Sequence, residues 1–311
     1  MASSGRAGEF ETIARYFAPL AGSPAALGLG NDAAVLRPPP GRDLVLTADA
    51  MLQGLHFLPD DPAETVGRKL LRVNLSDLAA MGAAPLGYLM TCAWPASLEE
   101  TWIAAFAEGL SEDQSRFGID LLGGDTTGGP GPLTLSLTAL GSVQPGKALG
   151  RDGAGAGDLV FVSGTIGDGI LGLMVRQGQL NGLSSTSEAY LTERYRLPTP
   201  RLALGQALSE SGLATACLDV SDGLLADLGH IALQSALGAE IDAASLPLSE
   251  AAQEVIADDL ERFTTPKQGG EAFQIVGDDL LGVVMTMSSA SRPMRAIEPP
   301  SRPWLGPALP Q

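Results

Sequence analysis

Short apolar runs alternate with longer amphipathic stretches along most of the chain, and Gly, Pro or Asp marks nearly every break. This alternation restricts the fold to a mixed α/β class, because period-2 runs build strands and period-3.6 stretches cover them. Phe10, Ile13, Ala14 and Phe17 predict a short helix over 9–17. The run 44–47 predicts a strand ending at Asp49, and Pro62 suits the first turn of a helix that Gly82 closes after Met81. Next come a strand over 86–93, a helix over 98–117, a strand over 119–122 entering Gly123-Gly124-Asp125, and an alternating strand over 133–143. The Gly-rich stretch 150–158 is the strongest boundary. Beyond it the pattern predicts strands at 159–162, 216–220 and 239–241, and helices at 169–177, 200–211 and 223–237. Periodicity fades after Ser288 into Pro-rich sequence. The expected division is therefore 1–150, 151–283, and an unstructured tail over 284–311.

With 311 residues, 45% of them hydrophobic and only 18% charged, the chain can bury two domain cores. A net charge of −17 repels nucleic-acid backbones and anionic lipid, so neither partner is expected. Two cysteines, Cys92 and Cys217, and two histidines, His56 and His230, leave no disulfide framework and little scope for a zinc site. Both cysteines sit in apolar runs and read as packing residues. The N-terminal residues lack the apolar core of a signal peptide, and no uncharged apolar run nears the roughly 20 residues a membrane span needs. The expected location is cytoplasmic.

Two nucleotide-binding patterns fail on inspection. Gly141-Ser142-Val143-Gln144-Pro145-Gly146-Lys147-Ala148 approaches a P-loop, but Ala148 lacks the hydroxyl that holds Mg²⁺ and the following glycines exclude the required helix. Gly28-Leu29-Gly30-Asn31-Asp32-Ala33 approaches a dinucleotide fingerprint with Asp49 at ribose distance. Pro38-Pro39-Pro40 arrives before a crossover helix can form.

What remains is a set of aspartates where strands meet loops: Asp32, Asp49, Asp77, Asp125, Asp219 and Asp222. Any one of them reads equally as a turn former or a helix cap, and Ser221 with Asp222 suits a cap for the 223–237 helix. Asp77 differs: it falls inside a helix, where Asp is a poor former, with Asn74 one turn earlier on the same face. Two carboxylates about 5 Å apart repel by about 3 kcal/mol at an effective dielectric of about 20. A divalent cation removes that cost. All-oxygen donors select Mg²⁺ over zinc, and Mg²⁺ between carboxylates and a polyphosphate is the usual reason to assemble them.

Six ordered motifs then carry a resemblance. Gly8-Glu9-Phe10 with Ile13-Ala14-Arg15-Tyr16-Phe17, Gly30-Asn31-Asp32-Ala33-Ala34-Val35 and Gly54-Leu55-His56-Phe57 come first. The stretch from Asn74 to Ala83, Gly123-Gly124-Asp125-Thr126-Thr127 and Asp219-Val220-Ser221-Asp222-Gly223 follow. From about Gly8 to about Ala257 the chain resembles the thiamine-monophosphate kinases. The resemblance implies the two-domain α/β fold of aminoimidazole-ribonucleotide synthetase, with an N-terminal domain that binds ATP and forms a homodimer. It implies ATP-dependent, Mg²⁺-assisted in-line phosphorylation of thiamine monophosphate to thiamine diphosphate. It also implies metal ligation by Asp32, Thr47, Asp49, Asp77, Asp125, Asp219 and Asp222, of which Asp32, Asp77 and Asp222 stand at the reacting phosphates. ATP contacts are implied for Gly124, Asp125, Arg151 and Ser221, and a substrate contact for His56. Alternatives are another ATP-using enzyme of this fold, selenide-activating or ribonucleotide-cyclising, and a catalytically impaired nucleotide-binding remnant.

Three departures from the family pattern matter. Asn31 replaces the first of two aspartates, and Ala48 replaces a threonine, leaving a backbone carbonyl there. Gly277-Asp278-Asp279-Leu280 lacks the Tyr-Glu that follows Gly-Asp-Asp in the family. The run Val284-Met285-Thr286-Met287-Ser288 suggests a cause: the codons GGT GAT GAC TAT GAG, read one base later, encode Val-Met-Thr-Met-Ser. The hypothesis is a change of reading frame between about Phe263 and Val284. Resequencing tests it, since an intact frame shared by near relatives ends the idea.

Overall fold

A computed structural model describes residues 8–256, 282–287 and 296–297. The N-terminal half is built on strands β1 (Asp43–Leu52), β2 (Ala84–Pro95), β3 (Leu121–Gly129) and β4 (Thr134–Val143), in the order β1-β4-β2-β3. β4 is antiparallel to β1 and β2, whereas β2 and β3 run parallel. Helices α2 (Ala63–Ala80) and α3 (Glu100–Phe117) cover one face, as the alternation of buried Leu135, Leu137 and Ala139 along β4 requires. Leu70, Leu71, Leu75 and Leu78 of α2 meet Ile103, Phe106 and Leu110 of α3 in that core. Before β1, a short helix α1 (Glu9–Thr12) continues as a π-helical turn over Ile13–Phe17 and seats Phe17 on Trp94.

The C-terminal half follows with β5 (Leu159–Val162), α4 (Asp168–Arg176), α5 (Ser185–Arg196), α6 (Leu202–Ser211), β6 (Ala214–Val220) and α7 (Leu224–Gln234). Then come β7 (Gly238–Ala239), α8 (Glu250–Ile256), β8 (Gly282–Met287) and β9 (Ala296–Ile297). β8 lies between β5 and β6 and is antiparallel to both, so β5 and β6 run parallel and end on the same side of the sheet. Val284, Met285 and Thr286 are buried there. The tail expected over 284–311 thus loses its first residues to the sheet centre, because a β-branched and apolar run fits a strand buried on both faces. Gly277, Asp278 and Asp279 lie outside the described residues, as does the expected tail apart from 284–287 and 296–297.

Helix α2 joins the halves. Arg72 donates from Nη1 to the carbonyls of Leu197 and Pro198, at 3.1 and 2.9 Å, and pairs with the buried carboxylate of Asp113. Gly205 of α6 lies so close to α2 that a Cβ there would stand 1.9 Å from the carbonyl oxygen of Ala79. Only glycine allows that approach. Among the described residues no helix is long and apolar enough to cross a membrane.

Candidate functional site

The interdomain helix also carries the polar stripe that the sequence marks out. Asp77 accepts a short hydrogen bond from Thr47 Oγ1 of β1. Asn74 accepts from the backbone N–H of Asp49 at 3.2 Å, and anchors its own amide on the Leu70 carbonyl at 3.0 Å. β1 is an edge strand, so its outward N–H groups need such a partner. Ser76, buried on the same helix, donates to Asp219 Oδ2 of β6 at 2.9 Å. Three residues of α2 thereby tie β1 of one half to β6 of the other, and Asp49, Asp77 and Asp219 share one electrostatic neighbourhood.

Charge balance there is poor. Burial pushes the Asp49 carboxyl up to about 6, with the Asp77 carboxylate adding to the shift. Asp219 is pushed up to about 7 by burial and then by Asp77, while the Ser76 hydroxyl and Arg151 pull it back. Asp77 is raised by burial, against the hydrogen bond from Thr47 and the field of Arg151. None of these three carboxylates has a cation within ion-pair distance among the described residues. Acids so placed strongly favour a bound cation.

A pH dependence follows. Folded-state values above the ordinary value near 3.8 mean stability present at low pH and lost as pH rises through about 6 and about 7. The metal-free protein should therefore melt several degrees lower near pH 8 than near pH 5, and millimolar Mg²⁺ should restore most of the loss at the higher pH. Calorimetry checks this; a melting temperature flat over that range contradicts it.

The other expected site residues are placed differently. Asp32 is exposed in the loop after a 3₁₀ turn over Pro24–Leu29, and no crossover helix follows it. β3 extends through the Gly123–Thr127 motif instead of ending before it, so Asp125 lies within a strand, opposite Thr91. This puts Asp125 on the sheet face away from α2, the reverse of Asp49. Gly124 precedes it at φ +154°, where a Cβ would stand 1.8 Å from the Met90 carbonyl oxygen. Asp222 is exposed just beyond β6. Ser221 and Asp222 do not cap α7, whose N-cap is Gly223 without a side-chain bond. Instead Asp227 reaches back from the first turn to accept the N–H groups of Ser221 and Asp222 at 2.9 and 3.1 Å. In the sequence, the signal of such a back-reaching contact is an acid in the first helical turn after Ser-Asp-Gly. Ser76 carries no such local signal.

His56 is exposed in the turn after β1, with Nδ1 accepting from the Leu52 N–H at 3.0 Å, so that Nε2 is the ring nitrogen not used in that bond. Lys69, buried and set over the Tyr195 ring, holds the His56 carbonyl at 3.0 Å. Cys92 and Cys217 are buried with thiols raised by burial, as inert packing groups should be. β4 ends at Val143 with a turn and no helix behind it, which disposes of the P-loop pattern.

Among the described residues, no group of three His, Cys, Asp or Glu side chains is arranged to enclose a metal ion. The donor chemistry nevertheless suits Mg²⁺, whose shell is ordinarily completed by phosphate oxygens and water. An open cleft of about 600 Å³, lined by Thr65, Arg176, Glu188 and Arg196 among others, lies away from these aspartates. The electrostatic frustration, and not this cleft, locates the candidate site.

Comparison with known proteins agrees with this organisation. Residues 30–143 match the family described as AIR synthase related protein, N-terminal domain, and residues 155–292 match its C-terminal domain. The chain is 45% identical to the thiamine-monophosphate kinase of Caulobacter vibrioides over 272 residues, covering 86% of this chain and 76% of the relative. The crystal structure of the thiamine-monophosphate kinase from Stenotrophomonas maltophilia aligns with a TM-score of 0.73 at 43% identity, covering 84% of this chain and 79% of that one. AaThiL complexed with AMPPCP and TMP aligns with a TM-score of 0.70 at 29% identity, covering 92% and 88%.

Proposed function

Because the chain belongs to the thiamine-monophosphate kinase family, we propose that it transfers the γ-phosphoryl group of ATP to the phosphate of thiamine monophosphate, giving thiamine diphosphate. The observation that carries this reading is the tie from Thr47 through Asp77 and Ser76 to Asp219, which gathers frustrated carboxylates from both halves at one place. The nucleophile is a phosphate oxygen, anionic near neutral pH, so the chain needs no strong general base. Its task is to align two anions. Mg²⁺, when bound, supplies neutralising charge and orients the polyphosphate.

Asp49, Asp77 and Asp219, with the Thr47 oxygen, form the buried side of the metal-holding set. The exposed Asp32 and Asp222 complete it from the solvent side, with Asp32, Asp77 and Asp222 nearest the reacting phosphates, while Asp125, on the opposite sheet face, joins the set of the paired subunit. Gly124 and Asp125 offer backbone and carboxylate to the nucleotide, Ser221 presents the turn that Asp227 fixes, and Arg151 adds positive charge at the phosphates. Nε2 of His56 meets the acceptor. Asn31 leaves one metal position with a neutral amide, which lowers the charge available there.

The protein acts as a cytoplasmic homodimer with no nucleic-acid or membrane partner. Support for pairing comes from the sheet face opposite α2, where Leu44, Leu46 and Leu89 are 42, 62 and 40% exposed. Exposed leucines grouped on one sheet face mark a contact surface. Leu46→Glu should convert a dimer into a monomer in light scattering; an unchanged mass would remove this face from the interface.

A second reading, nucleotide binding without turnover, is favoured by Leu280 and Leu281 standing where the family has Tyr-Glu. An assay of ATP consumption with and without thiamine monophosphate separates the readings. Consumption only with that acceptor supports the kinase, consumption without it supports another enzyme of this fold, and binding alone supports the impaired form.

A further inference from the structure

We propose that Arg201 and Arg194, converging on the turn at residues 163–168, form a seat for a phosphoryl oxyanion at the end of the C-terminal sheet where β5 and β6 finish. Arg201 follows Pro200 at the start of α6 and is only partly exposed, yet among the described residues it donates no hydrogen bond and has no carboxylate within ion-pair distance. Its Nε is shut away from water without a partner. Its Nη2 lies against Gly164, where a Cβ would stand only 2.3 Å away, so the glycine (φ +82°) makes room for the guanidinium. Burial and then the nearby Arg194 of α5 lower the proton affinity of Arg201, and the buried Nε of Arg194 itself donates no hydrogen bond.

Among the described residues, the one carboxylate within ion-pair distance of Arg194 is already occupied. Asp168, fully buried, accepts from Ser249 at 2.5 Å on Oδ1, and from Thr165 and Tyr190 at 2.5 and 2.8 Å on Oδ2. Arg194 reaches it only as an ion pair at 3.8 Å, without a hydrogen bond, and donates from Nη1 to Thr199 at 3.3 Å. Arg194 therefore shares a saturated carboxylate, and beside it Arg201 has no carboxylate within ion-pair distance among the described residues, leaving a surplus positive charge in a half-buried place. Guanidiniums with spare planar donors match phosphate oxygens, and an arriving anion removes the repulsion between them.

Position favours a substrate. β5 and β6 end on the same side of their sheet, so the turn after β5 lies two strand spacings, about 10 Å, from the turn that carries Ser221 and Asp222. A phosphorylated ligand held near Asp219 can reach it, whether the oxyanion belongs to the nucleotide or to the phosphorylated acceptor. This last step rests on the kinase reading; the seat itself does not.

The test is calorimetric titration of the full-length chain with ATP, thiamine monophosphate and inorganic phosphate separately, in the parent, Arg201→Met and Arg201→Lys. We expect Arg201→Met to weaken one of the two substrates about tenfold or more and to abolish competition by inorganic phosphate, with Arg201→Lys intermediate. The substrate that weakens identifies whose oxyanion is seated. Arg201→Lys keeps charge and bulk, so it reports even where the methionine variant fails to fold. Unchanged affinities for all three ligands in a folded variant overturn the seat, even if the parent is an active kinase. Lost phosphate binding in a chain that never forms thiamine diphosphate keeps the seat and overturns the kinase reading instead.

Discussion

Asp77→Asn should lower ATP-dependent turnover by about a hundred- to a thousandfold while leaving the chain folded and at least as heat-stable as the parent. The two halves of this expectation have one cause. Asp77 is held partly buried near Asp49 and Asp219, in a place that disfavours its charged form. An asparagine keeps the shape, and its amide oxygen still accepts from Thr47, so the fold loses no hydrogen bond. It gains relief from repulsion, because Asp49 and Asp219 each lose an anionic neighbour. What disappears is the charge that a metal-nucleotide complex requires. Ordinary structural aspartates behave in the opposite way, since removing a paired carboxylate destabilises. A variant that is both less stable and fully active would show that Asp77 serves the fold alone.

The second large effect concerns stability. Asp113→Ala should cost about 3–5 kcal/mol in urea unfolding, near the upper limit for a single substitution. Asp113 is fully buried on α3 and receives Nη2 of Arg72 at 2.9 Å and Nε of Arg68 at 3.2 Å. Arg72 is itself buried on α2 and joins the halves through the Leu197 and Pro198 carbonyls. Removing the carboxylate leaves a guanidinium in the core with only neutral acceptors. Replacing Arg72 by Met in the same chain should recover much of the loss, because the stranded charge is then gone. A loss below about 1 kcal/mol in the single variant would mean that water reaches the arginine.

Much of this architecture is legible in the sequence because pattern and tertiary burial agree. The alternation in β4, the long stripe of α2 and the Gly-rich break before β5 each appear where expected. The exceptions have physical reasons. α5 escapes notice because its buried face is only Ser187, Leu191 and Tyr195 among Ser, Thr, Glu and Arg, so its stripe is thin. β3 reads as ending at Leu122, since glycines are poor strand formers; pairing with β2 overrides them as far as Gly129. β8 reads as part of a tail because its neighbours in sequence lack periodicity, yet the sheet has an opening for an apolar strand.

The candidate site divides in the same way. Asp77 and Asn74 stand out as polar groups on an apolar helix, and Asp49 and Asp219 as acids after short apolar runs, although β1 does not end at Asp49 but continues to Leu52. Ser76 does not stand out, because its partner is brought to it only by folding: Asp219 lies 143 residues away. Asp125 illustrates the converse. Its motif is plain in the sequence, but only the register of β3 reveals that it faces away from α2. Arg201 belongs with Ser76, since a lack of partners is a property of the fold and not of the sequence.

A double-mutant cycle between Asp77→Asn and Asp219→Asn, read as kcat/KM for thiamine diphosphate formation, tests most directly whether the two halves act as one site. One cation-holding site predicts strong non-additivity, with the double variant scarcely slower than either single one. Losses that simply multiply would contradict it, placing the two carboxylates in separate roles.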